Sequence, residues 1–393
     1  MLNNLLTKID FLGKFEANNS RFHNLIEEFA ILPSIKNPRW LIPLKNKELI
    51  ISSLALYQPS LARAKLLKKM TVLVAKGGLS YLLMKNRVYF QRDDRAIKEI
   101  FNRDELYYAF FTGTEGCHRK VTIQVMDEKG RILGYIKVSD NEDIDRLLRN
   151  EAGILQDLLR LEIRNGLFPK VIFHGRIDGA NILVLDTLKS VHSRFSSKLS
   201  DPHVNFLSEI FQKTAKVKRY TDSSFRYELK NRIRNLEDER LEGSEKGIFI
   251  KSFNYLEEKL MDKKIPFSLC HRDFTPWNTF FHNDMLYVFD WEYAKKDYPP
   301  MFDLFHFIIQ DGILVRHLNA QGLLKQVLRY KKWLRKYSSL AGIKSDLWMP
   351  LLLCYLLDIS LLYVEREGGQ PESRTLKMLK IWGRMMEMIV HSS

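Results

Sequence analysis

Cysteine is scarce: three in 393 residues, Cys117, Cys270 and Cys354, odd in number and far apart. Such a set provides neither a disulfide framework nor a zinc site, and a reducing cytoplasm is the compartment expected. Long apolar runs are also lacking. The first ten residues hold no sustained apolar stretch, so a secretory leader is not expected there. The most apolar segment, 349–364, is short for a bilayer span and carries Asp358, so it reads as a buried helix. No internal repeat, low-complexity linker or nucleic-acid motif is found, which removes solenoids and argues against DNA or RNA as a partner.

What is present describes a folded chain. Apolar residues make up 45% and aromatics 12%, and the length allows two or three domains or lobes with sizeable cores. The net charge of +15 is uneven. Residues 1–100 hold 17 Lys/Arg against 8 Asp/Glu, residues 315–393 hold 13 against 6, and the middle is close to neutral. Basic ends fit an anionic surface or substrate, although solvated lysine-rich helices are the commoner explanation. Within 1–100, Pro33, Pro38, Pro43 and Pro59 read as breaks in a helical or mixed module. Its residues 60–76 form a basic amphipathic pattern with Leu61, Leu66, Leu67 and Val72 among the apolar positions. Packing of that helix on the next lobe is favoured over contact with a membrane or a partner.

From residue 105 the period becomes that of strands, at 105–111, 119–126 and 131–138, the last two joined by a turn at 127–130. Between the first two lies Thr112-Gly113-Thr114-Glu115-Gly116-Cys117, where two glycines allow backbone N–H groups to approach a phosphate. A helix follows with Ile144, Leu147, Leu148, Ile154, Leu155, Leu158 and Leu159 on one stripe, and Glu151 falls on that inward face. An unpaired carboxylate there would be costly, and Lys137 at the end of the preceding strand is its natural partner. Two more strands, 170–174 and 180–186, flank Asp178-Gly179, and 191–264 is helical in pattern.

The chemistry concentrates in 268–305. An apolar strand end delivers His271-Arg272-Asp273 into a loop shaped by Pro276 and Asn278; residues 279–289 read as a hairpin around His282-Asn283-Asp284, and Asp290-Trp291-Glu292 follows. Two carboxylates and an amide suit phosphoryl transfer, which needs a proton acceptor for the attacking hydroxyl and oxygen ligands for Mg²⁺. Asp-x4-Asn followed by a strand-end Asp is the catalytic spacing of kinases. With Phe274-Thr275-Pro276-Trp277, it resembles the aminoglycoside phosphotransferase and choline kinase family, the small-molecule branch of the kinase-like fold. That family usually has His-Gly-Asp where this chain has His271-Arg272-Asp273.

The resemblance implies an α+β, two-lobed, protein-kinase-like fold: an antiparallel-sheet N-lobe over 101–188, a mostly helical C-lobe over 189–393, and an N-terminal module of unexplained role over 1–100. It makes Asp273 the catalytic base and Asn278 and Asp290 the Mg²⁺ ligands. It assigns Lys137, paired with Glu151, to the nucleotide phosphates, Gly113, Thr114 and Gly116 to the loop covering them, and Leu185, Asp186 and Thr187 to the hinge that meets the adenine. ATP is the expected donor, with GTP left open. Asp303 is expected to cap a helix and brace the loop, His271 to brace it, and Glu292 to support the metal. The acceptor is a small-molecule hydroxyl. A sugar or anionic glycoconjugate precursor suits the basic C-terminal segment better than a polycationic aminoglycoside. A protein kinase is disfavoured, because Asp-Phe-Gly, Ala-Pro-Glu and an activation segment are missing. The rival from another class is a non-catalytic nucleotide-binding pseudokinase that docks on a membrane or assembly. Peripheral contact with the inner face of a membrane through the basic ends completes the expectation.

Overall fold

The computed structural model describes residues 7–16, 26–34, 36–56, 62–78, 84, 86–113, 120–139, 141–236 and 243–391. They divide into two compact units, one of residues 1–160 and 168–194, the other of 161–167 and 195–393.

In the first unit, alternating apolar residues build one antiparallel sheet. Its strands are β1 (Gly13–Glu16), β2 (Ile26–Pro33), β3 (Pro38–Pro43), β4 (Arg87–Arg92), β5 (Tyr107–Phe111), β6 (Val121–Met126), β7 (Ile132–Ser139), β8 (Val171–Ile177) and β9 (Ala180–Asp186). Their order is β1-β4-β2-β3-β5-β6-β7-β9-β8. The first hundred residues, expected as a module of their own, therefore supply four strands of this same sheet. Trp40 and Leu41 of β3 pair with Phe111 and Phe110 of β5. Three of the prolines that read as breaks stand at strand ends, Pro33 closing β2 and Pro38 and Pro43 bounding β3, where a missing N–H does little harm, and Pro59 lies outside the described residues. An aromatic cluster runs across the junction: the Phe29 ring lies 5.8 Å from Phe90 and 5.5 Å from Phe110, with Phe15 4.4 Å from Phe90.

Helices α1 (Lys47–Ser53), α2 (Ala62–Lys76), α3 (Arg95–Phe101) and α4 (Glu142–Arg160) complete the unit. The α4 stripe forms in its central part, with Ile144, Leu148, Glu151, Ile154, Leu155 and Leu158 buried, while Leu147 is half-buried and Leu159, also expected on it, is 56% exposed. Asn141 starts the helix by accepting the Ile144 N–H at 2.9 Å.

The second unit is mostly helical: α5 (Asp201–Thr214), α6 (Ser224–Asn235), α7 (Gly243–Leu260), α8 (Phe302–Leu314), α9 (Ala320–Arg329), α10 (Lys331–Ala341), α11 (Trp348–Arg366) and α12 (Ser373–His391). A short sheet of β10 (Lys216–Arg219), β11 (Lys264–Cys270) and β14 (Lys295–Tyr298), and a hairpin of β12 (Thr279–His282) and β13 (Met285–Val288), carry the loops between them. The hairpin turns through Asn283 and Asp284, both at positive φ, as short asparagine and aspartate side chains allow. Helices α9 and α10 follow one another directly and are parted where the backbone opens at Tyr330 (φ −85°, ψ 10°). The apolar helical segment Ser345–Arg366 is long enough to cross a membrane, yet 72% of its apolar window is buried in the protein, so it serves as a core helix.

Candidate active site

The loop after β11 is held by a single carboxylate. Asp303, in the first turn of α8, accepts the backbone N–H of His271 at 2.8 Å and of Arg272 at 2.9 Å, and the Cys270 thiol at 3.1 Å. Burial, reinforced by Asp303, pushes the Cys270 thiol well up, so it stays protonated and donates. The cap expected of Asp303 is not made: Met301 occupies the helix N-cap, without a side-chain bond. The carboxylate is spent on the loop instead.

His271 ties the loop to the hairpin. Burial lowers its pKa, so the ring is neutral, donating from Nε2 to the Phe289 carbonyl (3.0 Å) and accepting the Asp273 N–H at Nδ1 (3.2 Å). Its ring also lies 4.4 Å from that of buried Trp291.

Asp273 is then fixed from both sides. Asn278 Nδ2 donates to Asp273 Oδ2 at 2.8 Å and to its carbonyl at 3.0 Å, and His306 Nε2 meets Oδ1 at 3.1 Å. The Asp273 side chain is 34% exposed, that of His306 only 3%. A carboxylate oriented by two buried donors but open to solvent is suited to receive a hydroxyl proton. His306 went unnoticed in the sequence, although it lies three residues after Asp303 on one helix and so shares the loop-facing side. We expect His306→Leu to slow Mg²⁺-dependent ATP hydrolysis about tenfold with little change in nucleotide affinity, the size of one hydrogen bond to a charged group. His306→Gln, which keeps a donor, should recover part of the rate; equal rates for wild type and His306→Leu would remove the residue from the site.

Asn278 and Asp290 flank the two ends of the hairpin, whose root is closed by the Phe289 N–H donating to the Asn278 carbonyl at 3.1 Å. Asp290 takes a left-handed conformation (φ 65°, ψ 59°) that ends the strand and opens the turn Trp291–Tyr293. With Nδ2 committed to Asp273, the Asn278 amide keeps its oxygen for another partner. An amide oxygen and a carboxylate are hard donors that fit Mg²⁺. Among the described residues no group of three or more His, Cys, Asp or Glu forms a metal cage.

Arg272 explains its own departure from glycine. Its φ is 64°, a conformation costing an ordinary residue about 1–2 kcal/mol. The side chain is buried, with Nη2 2.8 Å from Asp358 Oδ2 and its guanidinium 4.7 Å from the Tyr298 ring centroid. Asp358, on α11, also receives Arg232 Nη1 at 2.6 Å and the Tyr298 hydroxyl at 3.2 Å. Burial would raise the Asp358 pKa, but the two guanidinium groups outweigh it and hold it low. Its folded pKa being depressed, it adds stability that is fully present above the ordinary carboxylate value of about 4 and is lost as the pH falls below that value through the lower folded pKa.

In the first unit, Lys137 Nζ lies 2.7 and 2.6 Å from the two Glu151 oxygens, both side chains almost wholly buried. Gly113 follows β5 at φ 81°, a backbone that favours glycine. Thr114 and Gly116 lie outside the described residues. Leu185 sits in the ladder between β7 and β8. Asp186 is engaged with Lys170, its N–H donating to the Lys170 carbonyl at 3.0 Å and its Oδ1 accepting the Lys170 N–H at 2.6 Å. Thr187 Oγ1 accepts the Lys189 N–H at 3.0 Å. Glu292 is buried beside Trp291.

An exposed carboxylate gripped by two donors, an amide and a second carboxylate beyond a strand are the groups that a phosphotransferase with an alcohol group as acceptor requires. Residues 199–343 match the sequence model of the phosphotransferase enzyme family (APH), the span that holds Asp273, Asn278, Asp290, Asp303 and His306. No curated protein matches the chain. Among solved structures, a thermostable mutant of aminoglycoside phosphotransferase APH(4)-Ia in ternary complex with ADP and hygromycin B is 13% identical and covers 76% of this chain and 98% of that one, at a TM-score of 0.50. Choline kinase LicA from Streptococcus pneumoniae is 16% identical, covering 76% and 99%, at a TM-score of 0.47. The first of these likenesses bears out the fold expected from the sequence.

Proposed function

We propose that this phosphotransferase moves the γ-phosphoryl group of ATP to a hydroxyl of a sugar or an anionic glycoconjugate precursor, in the cytoplasm. The observation that carries the reading is Asp273, exposed yet gripped by Asn278 and His306. Asp273 accepts the proton as the acceptor oxygen attacks phosphorus. Lys137, oriented by Glu151, binds the nucleotide phosphates and steadies the charge that develops on them. Asn278 and Asp290 would hold Mg²⁺, which when bound neutralises phosphate charge. The solved relative of similar fold was captured with ADP and hygromycin B, a nucleotide beside a hydroxyl-rich small molecule, which supports the substrate class. The basic C-terminal segment favours an acceptor without positive charge.

The first test is calorimetric. Mg²⁺-ATP at a hundredfold excess over Kd should stabilise the fold by about 2.7 kcal/mol, and Asp290→Ala should lose most of the rise in melting temperature. An unchanged rise in the variant would take Asp290 out of the cation site, and no rise in wild type would end the nucleotide reading. A screen of sugar and lipid-linked hydroxyl acceptors with labelled ATP, repeated with GTP, then identifies the substrates.

A further inference from the structure

Among the described residues, helix α2 is packed on one side. Ala75 is fully buried, in a cluster with Ala30, Ile42 and Ile50 against which Val72 also packs. At 100° per residue the opposite side of the helix carries Leu66, Met70 and Leu73, a single row spaced i, i+4, i+7. These three side chains are 62%, 52% and 62% exposed, more than most large apolar residues of a folded chain. Lys69 and Lys76, both exposed, fall along one edge of the row. Lys68, by contrast, belongs to the packed side, where burial draws its ammonium down to about 8. The helix itself has one sign: Ala62–Lys76 holds five Lys/Arg and no Asp or Glu. A solvated face would not need three large apolar groups in line, and a protein partner would need no such purity of charge. Both features together match the headgroup region of an anionic bilayer, where apolar side chains enter the acyl boundary and lysines meet acidic headgroups.

We propose that α2 docks this protein on an anionic membrane surface through Leu66, Met70 and Leu73, with Lys69 and Lys76 at the headgroups. The orientation is set by the fold, since α2 is already pinned by Ala75 and needs no rearrangement to present the row. Docking brings the chain to hydroxyl acceptors held at a lipid surface, and it is independent of phosphoryl transfer.

The test is co-sedimentation of the full chain with vesicles of phosphatidylglycerol and phosphatidylcholine, against vesicles of phosphatidylcholine alone, without nucleotide. Wild type is expected to partition to the anionic vesicles and to be released by high salt. Combined Leu66→Ser, Met70→Ser and Leu73→Ser should weaken partition at least tenfold. Lys69→Glu with Lys76→Glu should do the same, each charge being worth roughly fivefold at low salt. All five side chains are exposed, so the melting temperature should stay within a few degrees, which is checked for each variant. A fluorophore attached at Met70→Cys provides a second reading, a blue-shifted emission on anionic vesicles alone. The proposal is overturned if wild type stays in solution, if it binds neutral vesicles equally, if the variants sediment like wild type, or if the serine variant instead dissolves a dimer that forms without lipid. Each of those results leaves the ATP experiments untouched.

Discussion

Asp273→Asn is expected to lower phosphoryl transfer by 10²–10⁴-fold while nucleotide affinity stays within a factor of about two, because losing a general base removes proton transfer and little else. The substitution is close to isosteric. His306 and Asn278 both present donors to the Asp273 oxygens, so an amide at 273 keeps one of these bonds and sets an N–H against the other donor. The fold should therefore survive with a loss of about 1–3 kcal/mol. The measurement is turnover of labelled ATP at saturating Mg²⁺, alongside the nucleotide-induced thermal shift. Turnover within a factor of two of wild type would remove Asp273 as the base.

The second large effect concerns Lys137 and Glu151. With 4% and 0% of their surfaces exposed, neither charge has water to fall back on. Changing either to alanine should cost roughly 3–5 kcal/mol, mostly from the ion left behind. Changing both should cost less than the sum. The pair is measured by a double-mutant cycle in urea unfolding and in kcat/KM for ATP. Additivity within about 0.5 kcal/mol would mean that the two side chains act separately, and the proposed aiming of Lys137 at phosphate by Glu151 would fall.

Much of this was readable in the sequence, for a physical reason: the elements that bury apolar residues periodically declare themselves. Strands β5, β6, β7 and β9, the α4 stripe with Glu151 inside it, and the hairpin around Asn283 all follow local rules of spacing and turn chemistry. The candidate site residues stood out because Asp273 and Asn278 lie five positions apart on one loop. What escaped were features decided at a distance. The prolines of β2 and β3 read as breaks because their location at strand ends depends on which strands they border. His306 reaches Asp273 only through the docking of α8, 33 residues on. The break at Tyr330 has no glycine or proline to announce it. Arg272 showed in the sequence only as a departure from His-Gly-Asp, and its partner Asp358 lies far along the chain.

That last pairing has a temporal side. Arg272 and Asp358 are 86 residues apart, and the loop between β11 and β12 holds a left-handed arginine that the distant carboxylate compensates. During synthesis at about 5–20 residues per second, several seconds separate the two. A nascent chain that has made the loop, the hairpin and even α8 still carries a cation with no counter-charge in an unfavourable backbone state. The loop therefore reaches its working shape only when α11 has emerged and packed, so competence for transfer is gained late and all at once. A fragment ending before residue 358 should carry every residue of the base and cation site and still be inactive.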